Sequence, residues 1–419
     1  MIVREQFDNG LRLLTESMPG VRSVSFGAWL TQGSRHESDE LSGIAHFVEH
    51  MLFKGTARRS AEDIAQEIDS IGGHLDAFTA KECAGYYVKV LDDHLPRAVD
   101  VLADLLLNPA FDHGDIEREK KVVLEEIKMV EDTPDDLVHE LFTQRFWAGH
   151  PLGRPILGVP ETVRTLDAAS LRQHFGRAYS AGNLVISAAG HVDHEAVREL
   201  VTSAFGDLRP SVDPPIDSAP PSIPGLLVRE KALEQCHVCL GVRGYPESHS
   251  DRYICYVLNV VLGGTMSSRL FQNIREKRGL AYSVNSGFVS YHDGGALTIY
   301  AGCDAESVVE VVDLIVAELQ LLRDEPITIQ ELTRAKDHLT GSLVLSLEST
   351  SSRMSNLARQ EMYYGRQFTL DDTLQAVQGV TLDDVHRVAR ALLVPGAVAA
   401  TVLGPVAGLA LREEQLALT

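Results

Sequence analysis

Two histidines and a glutamate lie within five residues of one another, at His46, Glu49 and His50. On a helix the two imidazoles leave the same face about one turn apart, so both can reach one Zn²⁺. Glu49 lies on the same side, where it can take a proton from a water that the metal activates. These residue types at this spacing predict metal-assisted hydrolysis. The alternative is a helix that carries two histidines and a glutamate by chance.

The segment from Ser42 to Gly55 is predicted to be the helix that positions this H-x-x-E-H motif, the inverted form of a zinc-protease motif. Ser42 can cap its first turn, and Gly55 can end it in a left-handed conformation. Apolar residues recur at helical spacing and would face a core: Ile44, Phe47, Val48, Met51 and Leu52. A third metal ligand must come from elsewhere in the chain.

Length and charge narrow the classes of function. The chain has 419 residues, which is about right for two to three domains. Its hydrophobic content of 44% and charged content of 23% are ordinary for a soluble globular protein. The formal net charge of −21 disfavours nucleic acid and anionic membranes as partners and favours cationic ones. Binding to nucleic acid or to a membrane is therefore not expected.

The cysteines and the apolar runs bear on location. The five cysteines are scattered, and their odd number predicts reduced thiols in a cytoplasmic protein. Cys236 and Cys239 form a C-x-x-C pair within an alternating run, which indicates part of a strand rather than a metal or redox site. No apolar run follows Met1–Gln6 as in a signal peptide, and none approaches the roughly 18 residues of a membrane span.

A proline-rich stretch divides the chain. Six prolines and a glycine lie between residues 210 and 225, a density that neither a helix nor a central strand tolerates. The expected organisation is a zinc-bearing domain over 1–209, a linker over 210–225 and a second domain over 226–419. Strand pairs and helices follow the same order in both halves. The predicted fold class is therefore α+β, with two similar domains that each pack helices on one side of a mostly antiparallel sheet.

Matching a Gly-Thr pair in each half places the two halves 209 positions apart. At this offset the motif positions hold other residues in the second half: Cys255, Leu258 and Asn259. The pattern predicts a duplicated domain in which only the first copy kept the metal chemistry. In the first half a strand is expected at 3–15, and helices at 61–71, 95–107, 115–131, 135–147 and 166–179.

A hydrolytic zinc site needs three protein ligands and one open position. Glu119 and Glu126 lie seven residues apart along one stripe of a predicted helix, and Glu126 is beside Val122 and Val123 on its apolar side. A carboxylate in that place should have a partner, and a metal is a good one. The alternative is an exposed amphipathic helix whose charges are solvated.

Taken together, these residues make the chain resemble the M16 family of zinc metallopeptidases, which are inverzincins, and its short two-domain processing-peptidase branch. The likeness runs from Asp8-Asn9-Gly10-Leu11 to the last predicted strand. It implies one Zn²⁺ per chain, bound by His46, His50 and Glu126. It also implies Glu119 as a supporting residue that does not bind the metal.

The resemblance also assigns residues that act on the substrate. It places a catalytic arginine and tyrosine at Arg275 and Tyr282, which are donors suited to a substrate carbonyl and its oxyanion. Without the resemblance, the glycine-containing loop and basic helix around them would suit a phosphate. The family's edge strand, which pairs with an extended peptide, falls on Gly73, His74, Leu75, Asp76, Ala77, Phe78 and Thr79. An ordinary strand is the alternative, and the family often has Asn where this chain has Asp76.

Asp136 and Glu140 lie four residues apart on a predicted helix. They match the acidic pair with which the processing-peptidase branch holds a substrate arginine near the cleaved bond. Such a pair, together with the net charge, predicts a preference for basic, extended peptides. The alternative is a solvated acidic face.

The expected function is that of a zinc-dependent endopeptidase that acts on flexible or unfolded, basic peptides. In longer family members the zinc ligands and the Arg/Tyr pair come from two halves of one chain. One short chain carries both sets here, which predicts a homodimer with shared active sites. The alternatives are a non-catalytic structural core subunit of the same fold and a subunit that depends on a sister chain.

Overall fold

The chain forms two separate β-sheets. The computed structural model describes residues 2–210 and 219–418, and within them eleven strands make one sheet of six strands and one of five. The strands are β1 (Ile2–Gln6), β2 (Arg12–Ser17), β3 (Ser23–Leu30), β4 (His74–Thr79), β5 (Ala84–Leu91), β6 (Leu184–Gly190), β7 (Gly225–Glu230), β8 (Cys236–Gly244), β9 (Ala281–Ser290), β10 (Gly295–Cys303) and β11 (Ala399–Gly404). The orders are β1-β2-β6-β3-β5-β4 and β7-β11-β8-β10-β9. Only β2–β6 and β7–β11 pair in parallel.

Fourteen α-helices surround these sheets in the described ranges. They are α1 (Ile44–Leu52), α2 (Ala61–Asp69), α3 (Leu95–Leu107), α4 (His113–Asp132), α5 (Pro134–Phe146), α6 (Pro160–Thr165), α7 (Ala168–Ala178), α8 (His194–Phe205), α9 (Arg252–Leu262), α10 (Val308–Asp324), α11 (Ile329–Ser346), α12 (Thr350–Tyr364), α13 (Leu370–Gln378) and α14 (Leu382–Leu392). None of these described helices is long and apolar enough to cross a membrane. The cytoplasmic location stays a prediction.

The chain divides into two compact units, and neither is one continuous segment. Unit 1 comprises Met1–Lys128, Arg154–Ile216 and Leu345–Gln367, and unit 2 comprises Met129–Gly153, Asp217–Val344 and Phe368–Thr419. The domains predicted from sequence were continuous. Each unit instead also includes a helix from the other half of the chain, because α12 packs on the first sheet and α5 on the second. Of the predicted linker, residues 211–218 lie outside the described residues, and Gly225 already begins β7.

Both faces of the first sheet are buried. On β3, Val24 and Phe26 face the larger core that α1 and α3 complete, whereas Trp29 faces the other side. On that second side Trp29 packs with residues of α12: Met354, Leu357 and Ala358. Arg4 adds a two-pronged ion pair to the buried Glu361 of the same helix, at 2.8 Å for both bonds. The central strands β3 and β6 are therefore buried at successive positions, whereas the edge strand β4 alternates between exposed and half-buried residues.

The second sheet follows the same plan. Its larger core packs against α9, α10 and α14, and its other face packs against α5 through Leu137, Val138, Phe142 and Phe146. Cys236 and Cys239 are buried in β8 with free thiols, as a role in a strand predicts.

The predicted fold class is confirmed, because two mostly antiparallel sheets with packed helices are present. Helices were expected on one side of each sheet, and this part was wrong, because α12 and α5 cover the second sides. Local boundaries differ from those predicted, most clearly at the first strand and at α7. The strand expected at 3–15 is two strands, because the chain turns at Gly10, whose φ is 93°. The helix expected at 166–179 begins at Ala168, because Asp167 caps it by accepting from the Ser170 N–H. Helices α6, α8 and α13 were not predicted.

Candidate active site

Helix α1 carries the motif, but its ends differ from those predicted. Ser42 does not cap it. The N-cap is Gly43, with φ 95°, and the Glu37 carboxylate accepts from the N–H groups of Gly43 and Ala45. The helix ends at Leu52, and Gly55, with φ 128°, bridges to Ser60 further on. The N-terminal difference arises because a residue outside the helix supplies the bonds expected from Ser42. At the C-terminus the helix closes earlier, because the N–H groups of Phe53 and Lys54 donate to the carbonyls of His50 and Met51.

Three side chains of unit 1 converge on one point. His46 Nε2 and His50 Nε2 are 3.2 Å apart, and Glu126 Oε2 lies 3.9 Å from the first and 3.6 Å from the second. The ligand atoms of a tetrahedral zinc, at about 2.0–2.2 Å from the metal, would lie roughly 3.3–3.5 Å from one another. Glu126 Oε2 is buried and has no hydrogen-bond partner in the described part of the chain. Two imidazole nitrogens and one carboxylate oxygen at this spacing fit a zinc ion.

Burial favours a neutral ring at His46, and a hydrogen bond orients the ring of His50. Burial, with the neighbouring His50, lowers the pKa of His46 to about 3. The Glu119 carboxylate, which can only accept, lies 2.9 Å from His50 Nδ1. The proton of His50 is therefore on Nδ1, and Nε2 presents its lone pair to the site. Lys54 Nζ lies 2.8 Å from the other oxygen of Glu119 and balances its charge.

Glu49 lies on the same helix with its carboxylate held by the edge strand. The Thr79 hydroxyl donates to Glu49 Oε2. Burial raises the pKa of Glu49, the bond from Thr79 and the charge of His50 lower it, and the charges of Asp76 and Glu126 raise it further. The net result is a carboxylate with increased affinity for a proton, which is the property of a general base.

The predicted substrate-binding strand is β4, which follows Gly73 and forms one edge of the first sheet. Its residues alternate, with His74, Asp76 and Phe78 exposed and the residues between them half-buried. The Asp76 carboxylate already accepts from the Ala77 N–H at 2.8 Å and from the Tyr87 hydroxyl at 3.0 Å. In the described structure β4 therefore pairs with β5 on one side and has no strand on its other side, as β-augmentation requires, and the Ala77 N–H is already bonded to Asp76.

Arg275 and Tyr282 are brought together within unit 2. A π-helix over Phe271–Glu276 carries the arginine, and β9 carries the tyrosine. The Arg275 guanidinium lies between two rings, with its Cζ 4.8 Å from the centre of Phe271 and 4.9 Å from that of Tyr282. Tyr282 is 78% exposed. The pair is therefore preorganised by cation–π contacts and open to solvent on the tyrosine side.

Asp136 and Glu140 both lie on α5, and therefore in unit 2 with Arg275 rather than in unit 1 with the histidines. Asp136 is exposed and Glu140 is half-buried. Their spacing of one turn is as expected, and their role in binding arginine stays a prediction.

Two residues of the site were not found from the sequence. Lys54 follows His50 by four residues on the same stripe, a spacing that could have suggested a shared partner. Glu37 lies in a loop before the helix, and no local spacing points to it. Both act through contacts that only the folded chain shows.

Comparison with known proteins identifies both halves of the chain. Residues 12–159 match the family model described as insulinase (peptidase family M16), and residues 165–339 match the model described as the peptidase M16 inactive domain. The uncharacterized zinc protease YmxG of Bacillus subtilis is 45% identical over 94% of this chain and 96% of its own length. An uncharacterized zinc protease of Streptomyces coelicolor is 42% identical over 93% and 87%.

Two solved structures share the fold. A peptidase M16 inactive domain from Pseudomonas fluorescens aligns with a TM-score of 0.90 at 22% identity, over 96% of this chain and 98% of its own. A protease from Helicobacter pylori aligns with a TM-score of 0.89 at 23% identity, over 96% and 99%. At these identities the likeness concerns the fold. The near full-length relatives at more than 40% identity, together with the two family models, establish that this chain belongs to the M16 peptidase family.

Proposed function

We propose that this chain is a zinc-dependent endopeptidase. The observation that carries the proposal is the group His46, His50 and Glu126, whose ligand atoms all lie within 4.8 Å of one another. The names of the relatives as zinc proteases support the same reaction class. Zinc held there would polarise the carbonyl of a peptide bond and acidify a water.

The chain's own residues supply the proton transfers. Thr79 holds Glu49 Oε2, which leaves Oε1 as the oxygen that takes the proton of the attacking water. Burial of Glu49 favours the protonated form that follows, and the same oxygen can then deliver the proton to the leaving amine. Arg275 and Tyr282 are suited to donate hydrogen bonds to the substrate carbonyl and to the oxyanion formed from it.

Exchange of Glu49 for Gln tests the proposal. Glu49→Gln removes the base and no ligand, so we expect zinc to stay bound while kcat falls by about 10²–10⁴-fold. Glu125→Gln is the matched control, because Glu125 is exposed and bonded only to Lys128 among the described contacts. Ordinary turnover by Glu49→Gln would refute the assignment of the base. A folded wild-type chain that hydrolyses no peptide would instead support the alternative of a non-catalytic structural subunit.

We propose that the substrates are flexible, basic peptides with an arginine shortly before the cleaved bond. The net charge of −21 and the one-turn spacing of Asp136 and Glu140 support this preference. Neutralising both residues, Asp136→Asn with Glu140→Gln, should raise KM for arginine peptides far more than for arginine-free peptides. Equal losses on both kinds of peptide would indicate a solvated acidic face.

A homodimer with shared active sites is the assembly we propose. Its support is that one chain carries the zinc ligands in unit 1 and Arg275 with Tyr282 in unit 2. Mixing inactive Glu49→Gln with inactive Arg275→Ala protein, under conditions that exchange subunits, should restore part of the activity. No recovery after demonstrated exchange would mean that each site is built within one chain.

A further inference from the structure

The first turn of α1 depends on one distant carboxylate. Gly43 has no side chain to cap the helix, and the Ser42 hydroxyl is buried without a hydrogen-bond partner in the described structure. Glu37 fills this role with both oxygens: Oε2 accepts from the Gly43 N–H at 2.8 Å, and Oε1 accepts from the Ala45 N–H at 2.7 Å. Ala45 immediately precedes the ligand His46.

The backbone around this cap leaves no room for a capping side chain at position 43. A Cβ on Gly43 would lie 2.7 Å from the Leu157 carbonyl oxygen, and a Cβ on Gly158 would lie 2.3 Å from that of Ser42. Gly43 also has a φ of 95°, which disfavours any other residue. The two segments therefore pack backbone against backbone, and a capping side chain has to reach in from outside, as Glu37 does.

The second histidine has a support that the first lacks. Glu119 holds His50 through Nδ1, at 2.9 Å. His46 Nδ1 is buried and has no hydrogen-bond partner among the described residues. The orientation of His46 therefore rests on the backbone of the first helical turn, which is the turn that Glu37 caps.

We propose that Glu37 is a positioning residue for the metal site: its carboxylate holds the first turn of α1 and, through that turn, aims His46 at the metal. The proposal rests on the proposed function in one respect, that His46 binds zinc. The Glu37 carboxylate bonds to backbone N–H groups of α1 and is not one of the three groups that could hold the metal.

The surroundings of Glu37 make its charge sensitive to pH near neutrality. Its side chain is buried, and this burial raises its pKa to about 7, against the bonds from Ala45 and Gly43 and the charges of Arg154 and Lys81. Arg154 donates to the Glu37 carbonyl at 2.7 Å, and Lys81 donates to the Arg154 carbonyl. On its own segment, the flanking Arg35 pairs with Glu82, and Asp39 pairs with Arg154. Protonation would place an O–H against one of the two N–H groups and break half of the cap.

Zinc affinity of Glu37→Gln, measured by competition with a chelator, tests the proposal. The amide has the shape of the protonated acid and keeps only one acceptor oxygen. We expect zinc to bind about 10-fold more weakly than to wild type at about pH 8.5, as for other outer partners of metal ligands. We expect the difference to close towards about pH 6, because the wild-type carboxylate is then protonated as well. Protonation of the ligands themselves affects both proteins equally and cancels in the comparison.

Ser60→Ala is the matched control. Ser60 caps α2 in the same unit by accepting from the Asp63 N–H at 3.1 Å, and α2 carries no ligand. We expect this variant to lose some stability and no zinc affinity. An equal loss of zinc affinity in Ser60→Ala and Glu37→Gln would show a general destabilisation and overturn the proposal.

Equal zinc affinity of wild type and Glu37→Gln at both pH values would also overturn it. If the Gln variant does not fold, Glu37→Asp replaces it, because Asp keeps the charge but is one methylene too short to reach both N–H groups. Weaker zinc binding by Glu37→Asp supports the proposal and unchanged binding contradicts it. A wild-type chain that binds no zinc would refute the proposed function, and would do so independently of the cap.

Discussion

Helices α1 and α9 hold equivalent places in two sheets of the same order, yet of the two only α1 carries side chains that could hold a metal ion. The five strands β2-β6-β3-β5-β4 correspond to β7-β11-β8-β10-β9, and each of these helices packs in the larger core beside its sheet. At the offset of 209 positions, α9 has Cys255 and Leu258, which are 3% and 0% exposed, where α1 has His46 and Glu49. The fold alone therefore does not create the site.

The counterparts of Glu126 and His50 in unit 2 are also different residue types. Adding the same offset to Glu126 leads to Ala335 on α11, which is 1% exposed. His50 corresponds to Asn259, whose Oδ1 accepts from the Ser286 hydroxyl at 2.7 Å. At the positions where unit 1 has the candidate site residues, unit 2 therefore has apolar side chains and one asparagine that is hydrogen-bonded internally. The same framework is therefore present in both units, and the side chains at these positions determine whether a metal ion can be held there.

The largest expected effect is the loss of a ligand from unit 1. His50→Ala or Glu126→Ala should lower zinc affinity by more than about 10²-fold, because a ligand matters more than an outer partner, which is worth 10–100-fold. Hydrolysis should be lost with the metal. Metal content after dialysis and the rate of peptide cleavage measure both. Zinc retained by His50→Ala would contradict the difference between the two helices, because His50 would then contribute no more to metal binding than Asn259 does.

Copying the base into unit 2 should strongly destabilise it. Leu258→Glu places a carboxylate on α9 at a position that is 0% exposed and lies in the larger apolar core beside the second sheet. An unpaired buried charge should cost about 3–5 kcal/mol of the free energy of unfolding, as measured by urea denaturation. Leu258→Met, a swap of similar volume, should cost less than about 1.5 kcal/mol. A soluble Leu258→Glu chain with unchanged stability would show that α9 does not face a closed core.

Removing the support of His50 should have a smaller effect than removing the ligand. Glu119→Gln can no longer hold both the imidazole N–H and Lys54 as a charged acceptor, so zinc affinity should fall by about 10–100-fold. The control is Glu117→Gln, because Glu117 lies on the same helix and pairs with Lys120 at 2.7 Å. Competition with a chelator measures both variants. Equal affinities for the two would remove Glu119 from the site.

The smallest expected effect is at the counterpart of His50. Asn259→Ala removes the bond from Ser286 and should cost about 1 kcal/mol of the free energy of unfolding. Zinc affinity and hydrolysis should not change. A measurable loss of zinc would mean that α9 also contributes to the metal site, and the two helices would no longer differ in kind.

Neighbouring residues alone were enough to predict the local helical features of this protein. The spacing of His46 and His50, the apolar stripe of α1 and the start of α2 at Ala61 are set by residues within one or two helical turns of one another. Helical periodicity depends only on such neighbours, so these predictions needed no knowledge of the fold. The likeness to a family added Glu126 and Glu119, which no local spacing could connect to His50.

The distant partners that complete the site could be identified only from the way the chain packs. Glu37 replaces Ser42 as the cap of α1, Thr79 holds Glu49, and Lys54 balances Glu119. Each is a contact between segments whose approach depends on how the sheet and helices pack. The placement of α5 in unit 2 and of α12 in unit 1 has the same cause. An apolar helix face predicts burial, but it does not specify which of two similar sheets will cover it.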